Sequence, residues 1–198
     1  MTSKLKKISH IVGNYVLSPF VLLLLSISCM AYEEPNYEIV YESDLYQIRF
    51  YEERLVVQTS YGEEDNGFMK LFRYISGANT NSEKIDMTTP VTQSNMGESK
   101  LMQFYLPSKF DISNTPLPNN DSLQISFIEE GFFAVIRYSG RSTDRNFKKH
   151  SEILKRKLQE QDILIKGPPI KATYNGPFTF PPFRRNEAMY LVEWKLLN

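Results

Sequence analysis

Apolar and polar residues alternate along several stretches of this 198-residue chain. Residues 46–50 (Tyr-Gln-Ile-Arg-Phe) and 123–127 (Leu-Gln-Ile-Ser-Phe) show the pattern most clearly. A period of two is typical of a strand with one buried face. The pattern predicts strands over residues 37–41, 46–50, 55–59, 84–93, 101–106, 123–127, 133–138, 170–174 and 188–196.

Two further stretches have helical spacing. Phe68, Leu71, Phe72 and Ile75 predict a short helix that ends near Gly77. Thr143 is a suitable N-cap for a second helix, in which Asp144 occupies the first turn. That helix runs to about residue 162, and its apolar face comprises Phe147, Leu154 and Leu158.

The order of these elements repeats. Each half of the chain is predicted as two strands, a helix and two strands, and residues 107–121, rich in proline and asparagine, form a loop between the halves. Two such units joined edge to edge predict an α+β fold of two pseudo-symmetric halves. We expect a curved antiparallel sheet, a distorted barrel, with two helices packed on it.

The N-terminus has the pattern of an export signal. Three lysines precede an uncharged run over residues 8–32, which predicts a signal peptide of the lipoprotein type over residues 1–28. Cys29 is the only cysteine, and it follows a small residue, so we expect it to carry a lipid. Residues 29–36 then form a linker, and residues 37–198 form the folded domain. Cleavage near Ala31, or a retained membrane anchor, are the alternatives.

This signal predicts a membrane-tethered lipoprotein that faces the periplasm, with a soluble periplasmic protein as the alternative. The whole chain has 23 basic and 23 acidic residues, and cleavage before Cys29 removes three lysines and leaves a small net negative charge. A nucleic-acid partner is not expected, because such proteins carry clustered basic residues. We expect a monomer.

The residue inventory favours a binder over an enzyme. Beyond the N-terminal segment the only histidine is His150 and no cysteine follows Cys29, which excludes a Cys/His zinc cluster or a Cys–His nucleophile. Acidic pairs such as Glu52-Glu53 and Glu129-Glu130 are expected in solvated turns, since adjacent strand residues point to opposite faces. His150 is expected at the edge of the second helix's apolar face, and an axial metal-ligand role is its alternative.

Soft apolar residues are abundant. The chain has 12 tyrosines, 13 phenylalanines and 7 methionines. Methionine and aromatic side chains can line a site for a flat apolar ligand, although an ordinary core is the more common explanation for any single one of these residues.

Five motifs follow one another across essentially the whole chain after the signal segment. The motifs are Glu34-Pro35-x-Tyr37 with Tyr46-x-Ile48-Arg49-x-Tyr51; Phe72-Arg73-Tyr74-Ile75-x-Gly77-x-Asn79; Met87-Thr88-Thr89-Pro90-Val91; Met102-x-Phe104-Tyr105-Leu106-Pro107; and Tyr174-Asn175-Gly176-Pro177 with Arg184-Arg185-Asn186-Glu187. In this order and spacing, the set resembles the SOUL heme-binding protein family.

The resemblance implies non-covalent binding of heme or a related tetrapyrrole in a shallow apolar groove beside the first helix. It places the family's basic residue on Arg73, opposite a ligand carboxylate. It places part of the groove wall on Phe68, Met69, Leu71 and Phe72, with Met189 and Tyr190 as further candidates. Some family members are thought to use a histidine in the first half as iron ligand. Residues 37–121 contain no histidine, which puts a fixed axial histidine in doubt.

Several alternatives remain open. Residues Arg184, Arg185 and Glu187 either contact the ligand or form an internal ion-pair network that fixes the last strand. The domain could bind other amphipathic molecules, cationic ones if Glu83 or Asp86 lies in the groove. It could also be an enzyme that removes the metal from a tetrapyrrole, or a structural envelope protein.

Overall fold

The computed structural model describes residues 32–63 and 65–195. The predicted signal peptide, its cleavage site and Cys29 lie outside the described residues. Nine strands form one antiparallel sheet in the described part of the chain. The strands are β1 (Glu38–Glu42), β2 (Gln47–Tyr51), β3 (Arg54–Tyr61), β4 (Val91–Met96), β5 (Ser99–Tyr105), β6 (Gln124–Ile128), β7 (Gly131–Tyr138), β8 (Ile170–Thr173) and β9 (Asn186–Val192).

Two α-helices accompany the sheet within these residues. Helix α1 (Gly67–Ile75) begins after Asn66, whose side chain accepts a hydrogen bond from the backbone N–H of Met69. Helix α2 (Asp144–Glu160) begins after Thr143, which caps the N–H of Asn146. Side-chain acceptors at these positions satisfy N–H groups that have no partner inside the helix. Both predicted helices are confirmed, with ends within about two residues of the expected ones.

The sheet order is β1-β2-β7-β9-β8-β4-β5-β3-β6. Strands β3, β5 and β4 form one half with α1, and β7, β9 and β8 form the other half with α2. The halves join edge to edge where β4 pairs with β8. The sheet curls into a half-barrel, and the α+β class with two pseudo-symmetric halves is confirmed.

In each half, the first strand of the predicted strand pair is hydrogen-bonded to a strand of the other half instead. Strand β2 leads directly into β3 but pairs with β7, and β6 leads into β7 but pairs with β3. The turns between them hold Glu52-Glu53 and Glu129-Glu130, and all four side chains are exposed, as predicted for solvated turns. The two halves therefore exchange strands, which sequence alternation alone does not reveal.

One predicted strand begins later than expected. Residues 84–90 lie outside the sheet ladder, and β4 starts only at Val91. Pro90 has no N–H to donate to a neighbouring strand, which ends the ladder at this point. Thr88 is instead held by its hydroxyl, which donates to the carbonyl oxygen of Tyr105 at 2.6 Å.

Three apolar clusters form the core. The cluster under α1 includes Val57, Leu71, Tyr74, Met102 and Phe104. The cluster under α2 includes Ile48, Ala134, Leu154, Leu158 and Tyr190. The third cluster lies on the sheet face opposite the helices, called the inner face here, and comprises Tyr51, Phe133, Val135, Ala172, Tyr174 and Met189. No helix among residues 32–63 and 65–195 is both long and apolar enough to cross a bilayer.

Candidate functional site

Helix α1 exposes an apolar face, formed by Phe68, Met69 and Phe72. These side chains are 39%, 39% and 43% exposed, a large fraction for apolar residues on a short helix. The rings of Phe68 and Phe72 stack at a centroid distance of 6.0 Å with 11° between their planes. The ring edge of Phe68 also meets Phe104 of the underlying core at 5.3 Å. The α1 face thus presents two nearly parallel rings that are supported from below.

Hydrogen bonds fix both ends of α1, and the Asn66 cap fixes the N-terminus. At the C-terminus Gly77 adopts a φ of +112°, and the N–H of Ala78 bonds the carbonyl oxygen of Arg73. The left-handed region is open to glycine at little cost, which allows the chain to reverse there. The buried amide of Asn79 then donates to the carbonyl oxygens of Tyr74 and Glu83. These bonds anchor the C-terminal end of the helix that carries the α1 face.

Arg73 borders the α1 face. It is exposed in the last turn of the helix, and no described side chain forms an ion pair or hydrogen bond with its guanidinium. A cation at this end of a helix is favoured by the helix dipole. The same guanidinium is available to a carboxylate of a ligand lying on Phe72.

The structure separates the remaining predicted groove residues from this face. Leu71 is fully buried beneath α1, where it packs in the core. Met189 and Tyr190 are both buried on β9, in the other half. They point to opposite faces of the sheet, Met189 into the inner face and Tyr190 under α2, because side chains alternate along a strand. The structure brings together only Phe68, Met69, Phe72 and Arg73.

The inner face holds a buried charge network centred on Glu187. Arg49 donates to both carboxylate oxygens, at 3.0 and 3.3 Å, and the Tyr174 hydroxyl donates at 2.7 Å. Arg185 bonds the same carboxylate at 3.0 Å and reaches Glu34 at 2.9 Å. The expected internal network is confirmed for Arg185 and Glu187, and it also ties the segment before β1 to the start of β9. Arg184 lies outside this network, since its guanidinium bonds the backbone carbonyl oxygens of Thr179 and Pro177.

The charges of this network are mutually stabilised. Burial opposes the charge of Arg49, yet the neighbouring Glu187 carboxylate raises the pKa of Arg49 overall. Burial, reinforced by the Glu187 charge, also raises the pKa of the Tyr174 hydroxyl. The charge of the Glu187 carboxylate is therefore balanced by cations of the protein itself, and the carboxylate is not free to pair with a cationic ligand. In the sequence, Arg49 and Tyr174 stand out only as parts of family motifs, because the fold brings them to Glu187 from other strands.

Arg54, at the start of β3, is a buried cation of a different kind. Its guanidinium carbon lies 4.5 Å from the ring centroid of Tyr51 and 5.0 Å from that of Phe133. No described group accepts a hydrogen bond from its buried Nε or Nη2 atoms. Burial lowers the pKa of Arg54. The sequence places Arg54 in a polar turn after Glu52-Glu53, which gives no sign of this burial.

A cavity of about 320 Å³ opens beside Arg54. Its walls include the apolar side chains of Leu55, Tyr105, Leu106, Phe110 and Phe127. Its acidic lining residues are Glu33, Glu34, Glu52, Glu53 and Asp111. None of the four residues gathered around the α1 face lines this cavity, so the two sites are distinct.

His150 lies at the boundary of α2, as expected. Its ring stacks on Tyr138 at 4.1 Å with 5° between the planes, and its Nδ1 lies 2.8 Å from the carbonyl oxygen of Asn146. Within residues 32–63 and 65–195, no group of three or more His, Cys, Asp or Glu side chains is arranged to hold a metal ion. An axial role for His150 stays a prediction, and α2 places it in the half opposite the α1 face.

Comparison with known proteins gives a family and a fold. A family model described as SOUL heme-binding protein matches residues 32–191. Among solved structures, the EcmrR C-terminal domain superposes with a TM-score of 0.58 at 13% identity, covering 79% of this chain and 98% of that one. A hydrolase from Listeria innocua superposes with a TM-score of 0.56 at 7% identity, covering 77% and 94%. At such identities the likeness concerns the fold alone. No curated protein matches the sequence.

Proposed function

Because the chain belongs to the SOUL heme-binding protein family, we propose that it binds heme or a related tetrapyrrole on the α1 face, as a monomer at the cell envelope. The observation that carries the proposal is the stacked, exposed pair Phe68 and Phe72 with Arg73 at its border. Stacked rings offer a flat apolar surface to a macrocycle. The Arg73 guanidinium can pair with one of its carboxylates.

The chemistry of the α1 face fits such a ligand. Exposed aromatic and methionine side chains adapt to a large flat molecule, and covering them removes apolar area from water. The two histidines of the chain are His10 and His150, and neither belongs to α1. Binding through apolar contact and a carboxylate pair therefore needs no histidine from this face. When bound, heme would supply an iron centre, and these residues would hold and orient it.

The inner face is a poorer candidate for the ligand. Its buried carboxylate, Glu187, is already bonded by Arg49, Arg185 and Tyr174. A cationic amphiphile that entered there would have to compete with these internal partners. We therefore favour a tetrapyrrole on the α1 face over cationic ligands, and a binding role over an enzymatic one.

Hemin titration of the protein that begins at Tyr32 tests the proposal, followed through the Soret band. The wild type should show a saturable shift at micromolar hemin. Phe68→Ala combined with Phe72→Ala should weaken binding by about tenfold or more, since each ring contributes apolar contact area. Arg73→Ala should weaken it by at most about fivefold, because an exposed ion pair contributes little.

Leu164→Ala provides the control, because Leu164 is an exposed apolar residue remote from α1 in sequence. It should leave the hemin affinity unchanged. Equal affinity of the wild type and the double phenylalanine variant would contradict the proposed site. The absence of any saturable Soret shift would contradict the proposed function.

The location at the cell envelope rests on the pattern of residues 1–31. We propose that the chain is tethered through a lipid on Cys29, since a small residue and then cysteine follow the apolar run. Mass spectrometry of the protein from a bacterial membrane fraction should find acylated Cys29. Detection of a mature N-terminus near Ala31, without acylation, would support the soluble alternative instead.

A further inference from the structure

Arg54 is a buried cation for which the fold supplies no anion. Its side chain is only 9% exposed, and no described carboxylate lies within ion-pair distance. Contacts with the rings of Tyr51 and Phe133 offset part of the lost hydration. They do not replace hydrogen-bond acceptors, and an uncompensated buried charge is strongly destabilising. Arg54 also lines a cavity, from which a ligand could supply the missing anion.

The cavity beside Arg54 indicates the chemistry of that ligand. Its volume of about 320 Å³ suits a small organic molecule. Arg54 attracts a carboxylate inside it, while Glu52, Glu53 and Asp111 repel a simple anion and attract a cation. Leu106, Phe110 and other apolar walls suit a hydrocarbon or aromatic group.

We propose that this cavity binds a small apolar zwitterion, whose carboxylate pairs with Arg54 and whose ammonium group faces the acidic residues. An α-amino acid with an apolar side chain is the simplest molecule of this class. The site shares no residue with the α1 face. It is therefore independent of tetrapyrrole binding.

Calorimetry with three matched probes tests both charges of the ligand. L-phenylalanine should bind the protein that begins at Tyr32, a compact unit on its own. L-phenylalaninamide lacks the carboxylate, and N-acetyl-L-phenylalanine lacks the ammonium group. The affinity of each should be lower than that of L-phenylalanine by a factor of about ten or more. The N-acetyl compound should regain affinity when Glu52→Gln and Glu53→Gln reduce the repulsion.

Arg54→Met separates a ligand-binding role from a structural one. The variant should lose phenylalanine binding, keep its hemin affinity, and unfold at the same or a higher temperature, because an unpaired charge has been replaced by an apolar side chain. Equal affinities for phenylalanine and its amide would overturn the proposal. A marked fall in the unfolding temperature of Arg54→Met would also overturn it.

A separate observation concerns the loop between β8 and β9. Phe178, Phe180 and Phe183 are 100%, 64% and 80% exposed within six residues of each other. We call the loop that carries these three side chains the phenylalanine loop. Large apolar side chains grouped in this way mark an interaction surface.

The phenylalanine loop is held in its exposed position. The guanidinium of Arg184 bonds the carbonyl oxygens of Thr179, at 2.7 Å, and Pro177. The N–H of Gly140 bonds the carbonyl oxygen of Pro181 at 2.9 Å, and residues Pro181–Phe183 form a 3₁₀ turn. These bonds link the backbone that carries the exposed rings to the rest of the loop and to Gly140.

The base of this loop contacts the segment that precedes β1. Arg185, at the end of the loop, bonds Glu34 at 2.9 Å, two residues after Tyr32. Arg184, whose guanidinium bonds the loop backbone, and Arg141, which follows the Gly140 that bonds Pro181, add positive charge to this region. Basic and aromatic side chains together are the composition of segments that enter the interface of an anionic bilayer.

We infer that the phenylalanine loop inserts into the surface of a lipid bilayer, an inference that rests on the proposed location at the cell envelope. Co-sedimentation with vesicles of phosphatidylglycerol and phosphatidylethanolamine tests it on the protein that begins at Tyr32. Replacing all three phenylalanines by alanine should lower partitioning by about tenfold or more. Ile112→Ala with Leu117→Ala, two exposed apolar residues of another loop, should leave it unchanged.

Equal partitioning of the triple variant and the wild type would overturn the inference. Concentration-dependent self-association of the wild type that the triple variant abolishes, without vesicle binding, would also overturn it by identifying a second copy as the partner. Hemin titration without vesicles gives an independent result for the α1 face. Failure of the membrane inference can therefore be distinguished from failure of the proposed tetrapyrrole binding.

Discussion

Glu187 illustrates at the residue scale how a buried charge is kept in this fold. The carboxylate is fully buried, and Arg49, Arg185 and Tyr174 satisfy its oxygens from three different segments. Such a network adds less to stability than its bonds suggest, since each charge also lost its hydration. Removing one member of the network costs more stability than the whole network contributes, because the remaining partners then stay buried without compensation.

Glu187→Gln should lower the free energy of unfolding by about 3–5 kcal/mol, because Arg49 is left as an uncompensated buried cation. Glu160→Gln is the matched control, since Glu160 pairs with Lys157 in solvent. That change should cost about 1 kcal/mol or less. Urea unfolding measures both, and similar losses in the two variants would contradict the assigned role of Glu187.

The candidate site shows which residues sequence reasoning can find. The helical spacing identified Phe68 and Phe72, but Leu71 shares that apolar stretch, and spacing alone does not tell which side of a short helix faces the core. Met189 and Tyr190 are neighbours on a strand, so their side chains point to opposite faces and cannot both line one groove. The two-residue period of a strand, applied to the sequence, could have shown this. Arg54 could not be predicted, because its burial depends on rings brought together from β2 and β7.

At the scale of elements, the two helices are defined by local signals. Thr143 and Asp144 begin α2, and Gly77 allows the turn after α1. Cap and glycine positions act over a few residues, so the sequence predicts them well. Strand pairing acts over long separations, and the exchange of β2 and β6 between the halves follows from no local pattern.

Asp144 links the start of α2 to the sheet. Lys171 of β8 lies 3.0 Å and Lys100 of β5 lies 3.5 Å from its carboxylate. The hydrogen bond from Lys171 is the main cause that lowers the pKa of Asp144 below 3.8. The ionised form is thus favoured by folding, so its stabilisation is complete above about pH 4 and is lost as the pH falls below that value.

Asp144→Asn should therefore lower the free energy of unfolding at pH 7 by about 0.2–1 kcal/mol, a small value because the carboxylate is exposed. The difference between variant and wild type should decrease as the pH is lowered from 7 towards 2. Glu130→Gln, in an exposed turn, is the control and should leave the free energy of unfolding at pH 7 nearly unchanged. A difference for Asp144→Asn that persists unchanged at pH 2 would exclude the ion pair as its cause.

At the scale of the whole molecule, the exchanged strands make each half depend on the other. Strand β2 has its partners β1 and β7, and the partner of β6 is β3. A half cut off from its partner loses this pairing and exposes the inner face. The family motifs that span the chain therefore describe one cooperative domain.

Separate peptides of residues 32–121 and 122–198 should be unfolded on their own and regain strand structure when mixed. The cut lies in the loop before β6, so every strand stays intact. Circular dichroism during thermal unfolding measures this. Cooperative unfolding of either peptide alone would show that the exchange is not required for folding.

The most direct test of the central claim is to map a bound tetrapyrrole by NMR. A diamagnetic porphyrin added to the ¹⁵N-labelled protein that begins at Tyr32 should shift amide signals of α1, residues 67–75, most strongly. Ring-current effects should be largest near Phe68 and Phe72. Shifts concentrated on the inner face around Tyr174 and Glu187, with α1 unaffected, would contradict the account.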